Sequence, residues 1–323
     1  MSQERDYRAR VFVVGSFVAA CSVKVDALPA PGETLAASDF RLEAGGKGFN
    51  LAVAARRLGA KVDGLLAIGD DTLGHLARPA LDSADLPHSM LVPLEGPTGA
   101  GVGFIAADGE TCLAVYAGAN ARLGARHAAA RRAAIAGADL VLAQFETGDA
   151  PIAAAFSIAR EGGRRTLLNP SPFRAACVDL LPWTSILCVN AVEAASLAAS
   201  FGVADGDESL AGAVLARGPE ALVVTAGAAG ATAYLRDAPF TVRQPAFPVT
   251  AIDTLGAGDA FAAGLAVALA EGAGWSEALR LAAACGALTT TAFGVFDALP
   301  TREAAERMAT PASDRAHQTA DSE

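Results

Sequence analysis

Short runs rich in Val, Leu and Ile alternate along this chain with longer Ala-, Leu- and Arg-rich stretches of helical period. A nearly continuous apolar run is what a strand needs when its sheet is covered on both faces, and the intervening helices supply the cover. The reading is one α/β layer domain, with strands near 11–15, 62–68, 140–145, 166–168, 186–189 and 221–225. Helices are read over 50–58, 127–135, 151–160 and 257–269. Two regions, about 17–42 and 88–116, break the rhythm with short strands, turns and no long helix, which puts a small β-layer beside the main sheet. As a lid that layer has a function; as a plain edge extension it serves only the fold. The domain is read over 1–310, and the polar, aperiodic tail at 311–323 is expected to be disordered.

Composition narrows the function classes. The 323 residues are 52% hydrophobic and 19% charged, enough apolar material for a sizeable core. Twenty-five Lys+Arg against 35 Asp+Glu leave a net charge of -10, which argues against a broad grip on nucleic acid or on an anionic membrane. Lysine occurs only at Lys24, Lys47 and Lys61. Cys21, Cys112, Cys177, Cys188 and Cys285 are scattered with no C-x-x-C pair, and the four histidines are as dispersed. Neither a disulfide framework nor a zinc site is expected, and a reducing, cytoplasmic setting is. No apolar run reaches the roughly 18 residues of a membrane span. Arg5, Arg8 and Arg10, an apolar stretch and then Val18-Ala19-Ala20-Cys21 imitate a lipoprotein signal. Glu4 and Asp6 dilute its basic region and a strand-like alternation continues to Asp26, so a retained first strand is the reading taken.

Two glycine-rich segments carry the chemistry. Asp253-Thr254-Leu255-Gly256-Ala257-Gly258-Asp259 opens directly onto an apolar helix. Such a turn offers unpaired backbone N–H groups and the positive end of a helix dipole to an anion, as a phosphate requires. Asp259 would lie in the first helical turn, where an aspartate serves either as a cap or as a reactive carboxylate beside the bound anion. A second acid upstream, and a position late in the strand–helix series, favour the latter. The other segment, Ala44-Gly45-Gly46-Lys47-Gly48-Phe49-Asn50, also runs into a helix. Lys47 adds a charge and Asn50 an amide suited to hydroxyl groups, so it reads equally as a polyol site or a tight turn. No G-x-x-x-x-G-K-[ST] occurs, and Gly101-Val102-Gly103 sits in a strand-like run with no helix after it.

GGKGFNLAVAARRLGA and DTLGAGDAFAAGLAVAL together resemble the two signature segments of the ribokinase, or PfkB, family of sugar kinases, and they occur in the family's order. Also similar to the family are GSFVAACSVKVDALPAPGET near the start, IGDDTLG at 68–74, AGANARL at 117–123, NPSP at 169–172, Asn190-Ala191-Val192-Glu193 and TAGAAG at 225–230. The resemblance runs from about Val11 to Pro300. It implies a ribokinase-like three-layer α/β/α sandwich with a small β-sheet lid, and transfer of the γ-phosphoryl group of ATP to a hydroxymethyl group of a sugar.

The same resemblance assigns roles. Asp259 would accept the proton of the attacking hydroxyl, and the amides of Gly256, Ala257 and Gly258 would form an anion hole; an aspartate is ionised at neutral pH, and phosphoryl transfer needs positioned donors more than a strong base. Gly46, Lys47, Asn50 and Glu146 would contact the sugar. Asn190 and Glu193 would organise Mg²⁺ through water, although Glu193 alone reads as a first-turn helix acid. Thr225, Gly227 and Gly230 would border the nucleotide, although alone they read as a strand and its turn. Asp253 and the Leu255 carbonyl, with Gly294 near, match a position for a monovalent cation such as K⁺. A homodimer through the lid is expected, since a projecting sheet has edges to cover.

One departure bears on the substrate. Ribokinases carry G-S-x-N-x-D in the first strand, whose Asn and Asp touch sugar hydroxyls; here Val18 and Ala20 hold those places. A hydroxyl left without its partner costs about 1–3 kcal/mol, so ribose itself is disfavoured relative to a less hydroxylated, bulkier or base-bearing sugar. A nucleoside kinase of the same family and a non-catalytic sugar- or nucleotide-binding regulator are the other readings.

Overall fold

The computed structural model describes residues 8–108, 110–203, 206–237 and 241–310. The tail at 311–323 read as disordered lies outside the described residues. Strands in chain order are β1 (Arg10–Ser16), β2 (Val18–Val25), β3 (Asp39–Gly45), β4 (Lys61–Ile68), β5 (Leu91–Pro93), β6 (Gly99–Ala106), β7 (Thr111–Tyr116), β8 (Leu140–Gln144), β9 (Arg165–Asn169), β10 (Ile186–Asn190), β11 (Ala221–Thr225), β12 (Ala231–Leu235) and β13 (Thr241–Gln244). Nine form one sheet, ordered β13-β12-β11-β10-β9-β8-β1-β4-β5. From β11 to β5 every pairing is parallel, and β12 and β13 add an antiparallel edge.

The apolar runs explain why this sheet is covered twice. Val11 and Val13 of β1 join one buried cluster, Phe12 and Val14 the other. The split repeats at Leu140 and Leu142 against Val141 and Ala143, and at Ile186 and Cys188 against Leu187 and Val189. Successive side chains point to opposite faces, so a run apolar at every position needs a layer on each side. Helices Lys47–Arg57, Ala257–Ala270 and Trp275–Thr289 cover the first face; Ala125–Ala130, Asp149–Glu161, Ala191–Phe201 and Asp207–Leu215 cover the second. Three layers, α/β/α, result. Helix Ala257–Ala270 is buried from Asp259 to Leu269. It packs tightly on Trp275–Thr289, since a methyl group on Gly264 would lie 3.0 Å from the Ala282 Cα. That contact fixes where its N-terminus, and hence Asp259, sits.

The second sheet has the order β3-β2-β6-β7. It is joined to β1 through Phe17, whose N–H donates to Asn120 Oδ1 at 3.1 Å and whose carbonyl accepts from Asn120 Nδ2 at 2.8 Å. The register pairs Val18 with Gly45 and Gly99, Ala20 with Glu43 and Gly101, and Ser22 with Arg41 and Gly103, so these share one face. Lys24 and Arg41 of that face reach Phe293 of the main body, and Glu43 faces Gly294. The opposite face exposes Phe40, Leu42, Val102 and Tyr116. Leu91–Pro93, which sequence patterning groups with the small layer, pairs instead with β4 in the large sheet.

The connections place the ligand crevice. From β1 the chain passes through the lid to helix Lys47–Arg57 on the first face; from β8 it enters Asp149–Glu161 on the second. Adjacent β1 and β8 are therefore a switch point, and ligands collect at the carboxyl ends of such strands. The five cysteines are free, and burial pushes the thiols of Cys177 and Cys285 up to about 12, which keeps them protonated and unreactive. No helix among the described residues is long and apolar enough to cross a membrane.

Candidate active site

Ser16, the last residue of β1, is the hub of the crevice. Its hydroxyl donates to Glu146 Oε2 at 2.6 Å and accepts from Gln144 Nε2 at 3.1 Å and from the Gly48 N–H at 3.2 Å. The same Glu146 oxygen accepts the Lys47 N–H at 2.9 Å. Helix Lys47–Arg57 has no acidic residue in its first turn, so Glu146 supplies the negative charge its N-terminus favours from another strand's end. The glycines permit this approach. Gly46 has φ +95°, and a side chain there would meet the Val18 nitrogen at 2.9 Å. Gly48 and Gly15 are in backbone contact: a methyl group on Gly48 would lie 2.1 Å from the Ser16 nitrogen and 2.4 Å from the Gly15 Cα.

Asp259 lies across from this helix, and its side chain is 3% exposed. Its Oδ2 accepts from Asn50 Nδ2 at 2.9 Å, and the Lys47 ammonium stands 3.6 Å from Oδ1. A charge this deep is costly unless paired, and the two glycine-rich segments, over two hundred residues apart, meet to pair it. The Asp259 carboxylate, assisted by Glu146 and Glu193, outweighs the effect of burial and holds the Lys47 ammonium above the usual lysine range. Oδ1, beyond hydrogen-bonding distance of Lys47, keeps acceptor capacity for an incoming hydroxyl. A lysine so perturbed by a specific carboxylate partner in a crevice is a mark of a functional site.

Gly256 introduces Asp259. With φ +75° it caps helix Ala257–Ala270 in the left-handed region, and its side-chain direction is filled by Val295, 2.5 Å from where a Cβ would stand. The N–H groups of Gly256, Gly258 and Asp259 have no acceptor among the described residues, while Ala257 N–H reaches the Thr254 carbonyl at 3.4 Å. These free amides at a helix N-terminus can hold an anion. Asp253 braces the turn: its Oδ1 accepts the Leu255 N–H at 2.9 Å and its Oδ2 the Gly294 N–H at 3.2 Å.

The remaining sequence candidates line neighbouring strand ends. Asn190, at the end of β10, and Glu193 form a reciprocal cap: Asn190 Oδ1 accepts the Glu193 N–H and Glu193 Oε2 accepts the Asn190 N–H, both at 2.9 Å. Glu193 is buried in this cap yet acts electrostatically on Lys47. Thr225 ends the next strand and donates to the Val189 carbonyl at 3.4 Å. Gly227 is open, whereas Gly230, φ +94°, is pressed on the Gln244 carbonyl, 2.1 Å from where a Cβ would stand, and so is required by the turn itself. Sequence reading did not single out Ser16, Gln144 or Asn120. Asp71 of IGDDTLG proves structural, its carboxylate taken by Thr98 Oγ1 at 2.6 Å, Gly74 N–H at 2.8 Å and Thr98 N–H at 2.9 Å. Among the described residues no group of three or more His, Cys, Asp or Glu forms a metal cage. A separate cleft at the far end of helix Ala257–Ala270, lined by Glu271, Glu277, Arg280 and Arg302, has Glu271 and Arg302 already paired at 2.8 and 2.9 Å.

Comparison with known proteins bears on the same elements. Residues 8–302 match the pfkB family carbohydrate kinase pattern. A ribokinase of Haemophilus influenzae is 33% identical over 300 residues, covering 92% of this chain and 97% of that protein. A deoxyribokinase of Salmonella typhi is 28% identical, covering 91% and 96%. The structure of Arabidopsis thaliana ribokinase complexed with ribose and ATP superposes with a TM-score of 0.83 at 26% identity, over 94% of this chain and 99% of that one.

Proposed function

The chain belongs to the pfkB family of carbohydrate kinases and is an ATP-dependent sugar kinase of the ribokinase type, and on that premise we propose how its own residues carry the reaction and which sugars it accepts. Asp259 accepts the proton of a sugar hydroxymethyl group as that oxygen attacks the γ-phosphorus of ATP; the bond to the bridging oxygen breaks and ADP leaves. The observation that carries the reading is the buried Asp259 carboxylate, held by Asn50 and Lys47 beside a row of free helix N-terminal amides. The amides of Gly256, Ala257 and Gly258 receive the charge that develops on the transferred group, and fixed donors act there without reorganising. Asn50, Lys47, Gly46 and Glu146 orient the sugar. Asn190, Glu193, Thr225, Gly227 and Gly230 border the nucleotide. The domain runs to about residue 310, with the lid as its one projecting layer.

The oxygen-only donors at Asn190 and Glu193 suit Mg²⁺, which keeps much of its water and is held mainly by the nucleotide's phosphates; it neutralises their charge. Asp253 and the Leu255 carbonyl suit a monovalent cation such as K⁺, since the two N–H groups on Asp253 leave further lone pairs free.

At Val18, Ala20, Gly101 and Gly103 the crevice side of the lid is apolar and small, although Glu43, Arg41 and Lys24 lie elsewhere on the same face. This favours a sugar with fewer hydroxyls on that side, a deoxypentose, or a nucleoside whose base needs the room. Five free cysteines, of which Cys177, Cys188 and Cys285 are buried, support a cytoplasmic enzyme. The apolar outer lid face, with Phe40 62% and Tyr116 58% exposed, supports a homodimer through the lid. ADP release is the test: D-ribose, 2-deoxy-D-ribose, D-fructose, adenosine and inosine are each added to protein, ATP and Mg²⁺. At least one raises ADP formation well above the sugar-free rate, and 2-deoxy-D-ribose outperforms D-ribose. Binding of a sugar without any turnover would replace the kinase with a regulator.

A further inference from the structure

The four residues Phe293-Gly294-Val295-Phe296 lie where helix Lys47–Arg57, the turn before Asp259 and the lid come together. Phe296 stacks on Phe49 at 6.0 Å, and its carbonyl accepts from Arg57 Nη1 at 2.7 Å, which ties the segment to helix Lys47–Arg57. Val295 fills the space where Gly256 lacks a side chain, and Gly294 N–H is held by Asp253. Both contacts brace the turn that presents Asp259. Phe293 alone points the other way, into a socket of the lid lined by Ser22, Lys24, Asp39, Arg41 and Ile105. There Lys24 Nζ stands 5.3 Å and Arg41 Cζ 4.9 Å from the ring centroid, one cation from β2 and one from β3. A ring with two cations near it is attracted to them through its negative face, and an aliphatic side chain of the same bulk is not.

We propose that Phe293 is a positioning residue that latches the lid: its ring, gripped by Lys24 and Arg41, couples the lid's docked position to the Gly256–Asp259 turn, so that covering the sugar and presenting the phosphoryl-binding amides are one event. The inference rests on the kinase reading above, in which the lid covers the sugar. The segment is packed and hydrogen-bonded where it meets the reacting turn and held by cations where it meets the lid, as a coupling element requires. Undocking the lid leaves Val295 and Gly294 with an unsupported neighbour, and strain at one end reaches the other through a single residue of chain.

The test compares Phe293→Leu, which keeps apolar bulk, with Phe293→Tyr and Phe293→Trp, which keep the aromatic face. D-ribose and 2-deoxy-D-ribose are the acceptors, and wild-type turnover of either decides the kinase reading separately. Two cation–π contacts of this exposure together amount to roughly a tenfold change in an equilibrium constant. Phe293→Leu is therefore expected to lower kcat/KM for the sugar about tenfold with the KM for ATP unchanged, and Tyr or Trp to restore it. Hydrogen exchange needs no turnover: amides of β2 and β3 exchange faster by a similar factor in Phe293→Leu, while those of β8 and β9 do not. If Phe293→Leu fails to fold, the double variant Lys24→Gln, Arg41→Gln removes the same contact from exposed positions and is expected to behave alike. Kinetics and exchange unchanged in Phe293→Leu, or Tyr and Trp as impaired as Leu, would overturn the latch.

Discussion

Substituting Gly48 by Ala probes the meeting of β1 with helix Lys47–Arg57 on which the crevice depends. The added carbon would lie 2.1 Å from the Ser16 nitrogen and 2.4 Å from the Gly15 Cα, both backbone atoms that no rotamer change can move. Restoring ordinary contact means backing the helix away from the strand by about 1 Å, a strain of roughly 1–3 kcal/mol. The same shift lengthens the Gly48–Ser16 and Lys47–Glu146 hydrogen bonds, now 3.2 and 2.9 Å, and draws Asn50 away from Asp259, now 2.9 Å. A misplacement of about 1 Å among positioned groups costs on the order of a hundredfold in rate. Gly258→Ala is the stability control, because a methyl group there meets nothing within 4 Å. Thermal melting and ADP-release kinetics are measured on both variants. Gly48→Ala should melt lower by several degrees and lose about a hundredfold in kcat/KM, while Gly258→Ala melts like the wild type. Wild-type melting and wild-type kinetics for Gly48→Ala would refute this packing of strand against helix.

Other perturbations separate the assigned roles. Replacing Val18 by Asn and Ala20 by Asp restores two hydroxyl partners on the lid's crevice face and should shift the D-ribose to 2-deoxy-D-ribose ratio of kcat/KM toward ribose by roughly 5- to 100-fold; an unchanged ratio means those positions do not face the sugar. Glu193→Gln keeps an acceptor for the Asn190 N–H, so if Glu193 only caps its helix this variant keeps full activity, whereas the expected result is near-native melting with a raised requirement for Mg²⁺. Because Asp259 raises the Lys47 pKa, the ammonium favours the folded state below the usual lysine value of 10.5 and holds that contribution until pH rises through its higher folded value. The difference in melting temperature between wild type and Lys47→Met should stay level from neutral pH to about 10 and shrink only above the ordinary lysine range. With three lysines in the chain, NMR of methylated lysines should resolve the late-titrating one.

What was legible in the sequence was local. The central strands of the large sheet announce themselves as nearly continuous apolar runs, whereas the mixed edge strands β12 and β13 do not; the two glycine-rich segments stand out because Gly46 and Gly256 need backbone angles other residues avoid. Asp259 was legible from its place one turn into a helix. Contacts closed across long stretches of chain carried no such mark: Ser16 with Glu146, Gln144 with Ser16, and Asn120 with Phe17 span more than a hundred residues each. A polar residue ending a strand reads alike whether it faces water or a partner on another strand. Helix Lys47–Arg57 starts three residues before the expected 50 because Glu146, remote in sequence, supplies its N-terminal charge. Leu91–Pro93 is too short for any periodicity to reveal which sheet it joins. Glu193 reads in the sequence as a first-turn helix acid, and its geometry is that of a cap that also acts electrostatically on Lys47.

Everything turns on the carboxylate of Asp259. The direct measurement is ADP release by Asp259→Asn with the best acceptor sugar, alongside calorimetric titration of that sugar. Asparagine is of the same size and keeps an oxygen for Asn50 but cannot take a proton. Turnover should fall by about 10²–10⁴ while the sugar still binds within a few-fold. Retention of near wild-type turnover by Asp259→Asn would contradict a proton-accepting role for this residue.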